Sequence, residues 1–354
     1  MKIPQYIHIT EGRKETKEAF EKLFLVETPK RILLVTSTSP AGKLKWLLDF
    51  LRKYNTEKLV IENSDGKALD KTIKELKKGS FDYCIGIGGG KILDIAKYAS
   101  FVEGTKFISF PTLLSHDGIA SPVAVIKEGK EWSESRTAAP PLGVIVDLKT
   151  VAEAPRASLL SGIGDLTANL FASMDAEISR EVCREGYNEL ATGIARFSSL
   201  LVFPHFSEIS SEKIPTEELK HLAWGLILSG ISMSIAGNSR PASGAEHKIS
   251  HSIDYLFPSS ISHGYKVSIG NVISAFLHKQ YRREIIEFNL SLGLPVLCSD
   301  IGIKKEDFVD VVLYARKIRP NRHTILEEKK LTKKAVIKLL DEIEETKGDR
   351  GEFI

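Results

Sequence analysis

Three of the nine histidines of this 354-residue chain fall within 17 residues, as His247, His251 and His263 in SGAEHKISHSIDYLFPSSISHGYK (243–266). Imidazole binds divalent metals and moves protons near neutral pH. His247 and His251 are four apart, which puts them on one face of a helix, and His263 follows a turn marked by Pro258. The pattern is not HExxH, because Glu246 precedes the pair instead of following its first histidine. A metal would need a further ligand, and Asp165 in SGIGDLTANL (161–170) is the strongest candidate; without a metal, the same aspartate reads as a helix N-cap. An aspartate with two or three histidines suits zinc or iron and leaves a coordination position open for substrate.

A second chemical feature is the stretch IGIGGGKILDIAK (85–97). The dinucleotide fingerprint begun at Gly86 and Gly88 would need glycine where Lys91 stands. The Walker A pattern, read onto Gly90 and Lys91, would need glycine at Ile85 and a hydroxyl at Ile92. Neither motif is present, but their shared mechanism is: glycines let backbone approach a ligand, and a helix N-terminus offers N–H groups to an anion. A bare strand-to-helix turn is the alternative, although three consecutive glycines cost it entropy. Asp94 falls in the first helical turn, either complementing the helix dipole or meeting a ribose or the glycine loop. Farther on, FPTLLSHDGIASP (110–122) gathers Thr112, Ser115, His116, Asp117 and Ser121 in one loop, more hydrogen-bonding groups than a mere connection needs.

The elements that would position these residues differ between the two halves. Up to about residue 150, short β-branched runs (31–36, 58–62, 83–87, 106–110) alternate with amphipathic stretches (44–54, 67–78 and the one after the glycines), which predicts βαβ units and a parallel sheet. Two further strand-like pieces, 121–126 and 142–148, read as a hairpin extension. Beyond residue 155, helical periodicity covers 156–181, 186–203, 216–236, 243–256, 264–290, 305–318 and 332–346, the last with Thr332 as N-cap. The expectation is an α/β, Rossmann-like dinucleotide-binding domain over 1–154 and an all-helical metal- and substrate-binding domain over 155–354.

Composition narrows the function classes. With 42% apolar and 27% charged residues and a net charge of +3, the chain reads as an ordinary soluble protein without the basic excess of a nucleic-acid binder. Three scattered cysteines, Cys84, Cys183 and Cys298, fit a reduced, cytoplasmic compartment. The run 222–237 is short and broken for a membrane span and reads as a buried helix; no membrane insertion is expected.

The stretches GGGKxxDxAK, FPTxxSHDGIASPVAVI, SGxGDLxAN, GxEHxxSHxxD, HGxxVxIG and RPNRHTILE occur in this order between about residues 31 and 330. Together they resemble the sn-glycerol-1-phosphate dehydrogenases, in a superfamily with glycerol dehydrogenase, iron-dependent alcohol dehydrogenase and dehydroquinate synthase. The resemblance implies an active site in the cleft between the two domains. It makes Asp165, His247 and His263 the ligands of one zinc ion per subunit, and Asp117, Asp165 and His251 substrate contacts. The catalytic group would be Asp165, His247, His251 and His263. Contacts to NAD(H) or NADP(H) would come from Gly88, Gly89, Gly90, Lys91, Ile92, Leu93, Asp94, Thr112, Leu113, Leu114, Ser115 and Ser121.

The implied reaction is NAD(P)H-dependent reduction of dihydroxyacetone phosphate to sn-glycerol 1-phosphate, which supplies the backbone of archaeal-type phospholipids, by a homo-oligomer. Asn169 stands where iron-dependent relatives carry a further histidine ligand, which favours zinc with three protein ligands. Rival readings are a glycerol dehydrogenase acting on the unphosphorylated triol, a lyase resembling dehydroquinate synthase, and a silent nucleotide-binding protein. Arg319 and Arg322 suit a phosphate by charge, but a structural anchor is an equally good reading, and they are not counted as site residues. Glu62, at the end of the second predicted strand, is the kind of acid that favours NAD over NADP.

Overall fold

The computed structural model describes residues 2–128, 132–184, 186–203, 214–259 and 261–349. Among the described residues, eight strands lie in the first part of the chain: β1 (Tyr6–Thr10), β2 (Ile32–Thr36), β3 (Thr56–Val60), β4 (Tyr83–Gly88), β5 (Lys106–Pro111), β6 (Val123–Glu128), β7 (Trp132–Thr137) and β8 (Gly143–Asp147). The helices are α1 (Arg13–Val26), α2 (Thr38–Lys43), α3 (Lys45–Leu51), α4 (Gly66–Gly79), α5 (Gly90–Glu103), α6 (Leu148–Ala152), α7 (Arg156–Cys183), α8 (Glu189–Leu200), α9 (Thr216–Ala236), α10 (Ala245–Leu256), α11 (His263–His278), α12 (Arg282–Leu292), α13 (Lys305–Ala315), α14 (Ile325–Glu328) and α15 (Lys333–Gly348).

The chain divides into two compact units, Met1–Leu159 with Lys213–Gly237, and Leu160–Glu212 with Asn238–Ile354. In the first, six strands form a parallel sheet in the order β1-β8-β5-β4-β2-β3. Strands β2, β4 and β8 are buried along their whole length, which is why they read as unbroken apolar runs. Phe20, Leu23 and Phe24 of α1 and Leu47 and Leu51 of α3 cover Ile32, Leu34, Ile85, Ile87 and Ile145. From β2 the chain steps outward to β3 and then returns to place β4 on the other side of β2. Such a reversal opens a crevice at the carboxyl ends of the two strands, the usual place for a ligand in an open α/β sheet.

The expected hairpin of 121–126 with 142–148 is not formed. β6 pairs antiparallel with β7, while β8 runs parallel between β1 and β5. The physical reason is burial: GVIVD is apolar on both faces and enters the main sheet, whereas β6 alternates buried Ala124 and Ile126 with exposed Val125 and Lys127. The stretch 264–290 is also two helices and not one, because Lys279 and Tyr281 take the left-handed conformation between α11 and α12. Thr332 does cap α15, accepting from the Ala335 amide at 3.2 Å.

Helix α9 groups with the first unit. A Cβ on its Gly230 would stand 2.6 Å from the backbone of Ala120 and Ser121, so the absence of a side chain lets α9 lie against the loop that follows β5. It is long and apolar enough to cross a membrane by composition, and 56% of its most apolar window is buried inside the protein. The described residues of the second unit hold helices and no strands.

Candidate active site

Asp165, His247 and His263 come from α7, α10 and α11, and glycines bring these three helices together. A Cβ on Gly264 would lie 1.8 Å from the Ser161 carbonyl oxygen, one on Gly164 2.4 Å from the Gly264 oxygen, and one on Gly270 2.4 Å from the Glu246 oxygen. The Gly264 amide donates to Ser161 Oγ at 3.1 Å and Asn271 Nδ2 donates to the Gly164 oxygen at 2.9 Å. Gly164 and Gly264 each adjoin a candidate ligand, so the close backbone crossing sets where Asp165 and His263 can reach.

The result is convergence on one point. Nε2 of His247 and Nε2 of His263 each lie 3.4 Å from the same oxygen of Asp165, and one donor atom from each of the three residues lies within 4.8 Å of the others. Behind them, His247 Nδ1 faces Glu246 Oε1 at 2.9 Å, and His263 Nδ1 faces Ser250 Oγ at 3.5 Å. A ring whose Nδ1–H is donated backward keeps its Nε2 lone pair for a metal. Two imidazole nitrogens and one carboxylate oxygen directed at one spot fit zinc or iron, with coordination left for substrate. Asp165 sits well inside α7 and is not that helix's N-cap. Asn169, one turn on, donates to Ser198 Oγ at 2.8 Å.

The electrostatics follow the geometry. Burial disfavours ionised Asp165, but hydrogen bonds from His247 and His263 outweigh it and hold the carboxyl well below the usual carboxylate range. Burial likewise disfavours charged His247, and the bonds to Asp165 and Glu246 overcome that cost, pushing the imidazole up to about 9. His251 has no such carboxylate. Burial, then the positive charge of Arg319, hold it well below its ordinary value. Its ring centroid is 6.1 Å from that of His263 and 6.5 Å from that of His247, beside the triad but outside it.

The other expected site residues lie in the first unit. Gly88 ends β4 and Gly90 starts α5, at the crevice described above. A Cβ would meet Ile92 Cβ at 2.9 Å from Gly88, Leu113 Cδ1 at 2.8 Å from Gly89, and His116 Nε2 at 1.9 Å from Gly90. The glycines thus accommodate the protein's own loop after β5 as well as any ligand. Gly89, Gly90, Lys91, Thr112, Leu113 and Ser115 keep solvent-accessible surface there, while Ile92, Leu93, Leu114 and Ser121 turn inward. Asp94 is buried too: one oxygen accepts from the Val125 amide at 3.1 Å and the other from Lys97 Nζ at 3.2 Å. Asp117 accepts from Ser229 Oγ of α9 at 2.8 Å. Glu62 is exposed just past β3, where it accepts from the Thr38 amide at 2.9 Å.

Two supporting residues were given no role by the sequence reading. Glu246 is fully buried behind His247. Asp175, also fully buried, accepts from the Ala245 amide at 2.7 Å and the Ile325 amide at 2.8 Å and faces His278 Nε2 at 3.0 Å, which pins the start of the histidine-bearing helix. The sequence signal for Asp175 is an acid inside a mostly apolar helical stretch, and for Glu246 its place directly before His247.

Comparison with known proteins gives the same direction. Residues 19–155 match the family model described as iron-containing alcohol dehydrogenase. The chain is 33% identical to "Glycerol-1-phosphate dehydrogenase [NAD(P)+]" of Nitrosopumilus maritimus over 94% of its own length and 93% of the relative's. It is 35% identical to the protein of that name from Thermococcus sibiricus over 96% of both chains. Among solved structures, glycerol dehydrogenase from Schizosaccharomyces pombe superposes with a TM-score of 0.78 at 20% identity, covering 99% of this chain and 91% of the other. A probable glycerol dehydrogenase from Sinorhizobium meliloti 1021 gives 0.74 at 21% identity, with 99% and 98% covered. At such identities the structural likeness speaks for the fold, whereas the full-length sequence kinship is specific: this chain belongs to the glycerol-1-phosphate dehydrogenase family.

Proposed function

We propose that the chain reduces dihydroxyacetone phosphate to sn-glycerol 1-phosphate with NADH or NADPH, using zinc held by Asp165, His247 and His263. The observation that carries this reading is the kinship, over more than nine-tenths of both chains, with enzymes named for that product. The three-residue donor set and the side chain of Asn169, engaged with Ser198, support zinc with three protein ligands.

When bound, zinc supplies Lewis acidity to a carbonyl oxygen, and NAD(P)H supplies the hydride. The protein's part is orientation and proton handling. With a metal bound in place of the Nε2 proton, Glu246 would hold the Nδ1 proton of His247 and Nε2 would face the site as a lone pair. Arg319 can only donate, so its 3.3 Å contact with His251 Nε2 makes that nitrogen the acceptor and leaves the ring proton on Nδ1. In this reading His251 relays a proton to the alcohol oxygen formed by reduction, the proton being drawn from water or the substrate hydroxyl so that the ring ends neutral. The glycine loop and the first turn of α5 hold the cofactor pyrophosphate. Cytoplasmic localisation, a homo-oligomer and supply of archaeal-type phospholipid backbones belong to the same proposal.

The test is purified protein with dihydroxyacetone phosphate and NADH or NADPH, with and without a chelator, followed by chiral analysis of the product and metal determination. Chelator-sensitive formation of the sn-1 isomer by a protein carrying one zinc per chain is expected. His247→Ala should lose zinc and turnover together, and His251→Ala should lose turnover with zinc retained. A fully active, zinc-replete His247→Ala protein overturns the ligand assignment, and faster turnover of dihydroxyacetone than of its phosphate makes the chain a glycerol dehydrogenase.

A further inference from the structure

Two of the three helices that carry the triad run side by side in one register. The Gly264 amide meets Ser161 Oγ at the start of α11, and His278 Nε2 meets Asp175 Oδ1 at its end. Both pairs are 103 residues apart in sequence, so α7 and α11 stay in step from the first contact to the second. Asp165 and His263 belong to the first contact. The second is built around a single carboxylate.

Asp175 is fully buried and joins four helices. Its Oδ1 accepts from His278 Nε2 at 3.0 Å and from the Ile325 amide, the first of α14, at 2.8 Å. Its Oδ2 accepts from the Ala245 amide, the first of α10, at 2.7 Å. The first amides of a helix have no acceptor within it, and negative charge is favoured there, so this carboxylate serves two helix starts at once. At α10 the sequence leaves the task to it. The preceding residue, Gly244, brings no capping side chain, and a Cβ there would stand 2.4 Å from Asp175 Oδ2 and 3.0 Å from the Ala172 Cα. Glycine at 244 therefore lets a carboxylate of α7 cap α10 from 70 residues away.

His247 lies in the first turn of α10, directly after this junction. On the α11 side the same turn is held by the close approach of Gly270 to the Glu246 backbone. On the α7 side it is held by Asp175. A donor set works only when its members are kept within about half an ångström of their places, so what fixes this turn fixes the reach of His247 Nε2 to Asp165.

We propose that Asp175 is the positioning residue of the Asp165, His247 and His263 set: it fastens the first turn of α10 and the end of α11 to α7, and so holds His247 Nε2 against the other two donors. The inference rests on reading that set as a metal site. Three donors converge on Asp175, and only an ionised carboxylate offers acceptors on both sides; an asparagine would turn N–H groups toward one of them.

The experiment compares wild type with Asp175→Asn in the full-length protein, using cobalt(II) as the probe because its visible absorption reports coordination geometry. Asn289→Ala is the control: Asn289 is buried in α12, which contributes nothing to the triad, and its Nδ2 donates to the Pro295 carbonyl at 2.8 Å. Asp175→Asn should bind cobalt about 10-fold more weakly and with an altered spectrum. Asn289→Ala, destabilised in denaturant, should keep the wild-type affinity and spectrum. Wild-type affinity and spectrum in a destabilised Asp175→Asn overturn the inference and leave Asp175 as an ordinary stabilising contact. If Asp175→Asn does not fold, Gly244→Ala, which forces the carboxylate away from the Ala245 amide, decides by the same two readouts. A wild type that takes up no divalent metal would strike the metal reading instead. Hydrogen exchange of the metal-free proteins then decides on Asp175: faster exchange in the first turn of α10 with α12 unchanged supports its role, and unchanged exchange there overturns it.

Discussion

Glu246 Oε1 lies 2.9 Å from His247 Nδ1, and the carboxylate is buried completely behind the ring. A carboxylate in that position orients the imidazole and raises its basicity as a ligand. Glu246→Gln keeps the shape and removes the charge, and if the triad holds the proposed metal it should weaken metal binding by about 10-fold, within the range seen for such supporting groups. Competition with a chromogenic chelator measures it. Unchanged metal affinity would reduce Glu246 to a backbone anchor for Gly244, from whose amide it also accepts at 2.5 Å.

Lys97 is a deeply buried charge of the first unit. Its side chain is 0% exposed, and Nζ donates to the Gly118 oxygen at 2.7 Å, the Val123 oxygen at 2.6 Å and Asp94 at 3.2 Å. It therefore ties α5 to the loop after β5, which carries Thr112 to Ser121. Lys97→Met leaves Asp94 as an uncompensated buried carboxylate and should cost about 3 kcal/mol of stability. The cofactor KM should rise as the loop loosens. In the double variant Asp94→Leu/Lys97→Met the penalty should be well below the sum of the single ones, measured by denaturant unfolding. Strict additivity would mean that the two side chains act separately.

What the sequence disclosed and what it withheld divide along one line. The alternation of apolar runs and the convergence of His247 and His263 were readable because periodicity and spacing are local. Burial on both faces is not local, so β8 looked like a hairpin partner of β6 until its pairing with β1 and β5 was known. The strand β1 escaped notice because YIHIT is short and precedes the first clear apolar run. Asp165 illustrates the limit most clearly: without a metal, an aspartate there read as a possible N-cap, yet it lies inside α7, and Gly164 before it serves the crossing with α11. Glu246 and Asp175 act through contacts that no spacing rule encodes, the latter across 70 residues to Ala245 and 150 residues to Ile325.

Gly90 and His116 supply a steric test of the glycine loop. A Cβ on Gly90 would fall 1.9 Å from His116 Nε2, and the ring has little room to retreat, since a Cβ on Gly118 would stand 2.3 Å from its Cε1 and the Gly118 amide donates to its Nδ1 at 3.0 Å. Gly90→Ala should displace the ring or the start of α5 and raise the cofactor KM by about 10-fold or more, the scale on which small displacements act in binding sites. Gly90→Ala/His116→Ala should recover most of the loss, because the added methyl group then has space. A neutral Gly90→Ala change in steady-state kinetics would show that the loop adapts freely and that its glycines serve only the protein's own packing.

The three cysteines differ enough to report on the integrity of the first unit. Cys84, in the fully buried strand β4, has its thiol pushed up to about 12 by burial, so near neutral pH it is both inaccessible and un-ionised. Cys298 is buried as well, and burial raises its thiol, whereas Cys183 at the end of α7 is exposed. Alkylation of native protein at pH 8 should therefore modify Cys183 quickly and the other two only through unfolding. Raising the pH to 9 should not release Cys84, since both values lie far below its pKa and its burial is unchanged. Peptide mapping by mass spectrometry distinguishes the sites. In Lys97→Met, where α5 loses its tie to the loop after β5, Cys84, whose Sγ lies 4.0 Å from the Ala96 oxygen of α5, should label sooner than in the wild type while Cys298 keeps its protection; equal acceleration at both would point to global unfolding instead of a loosened α5.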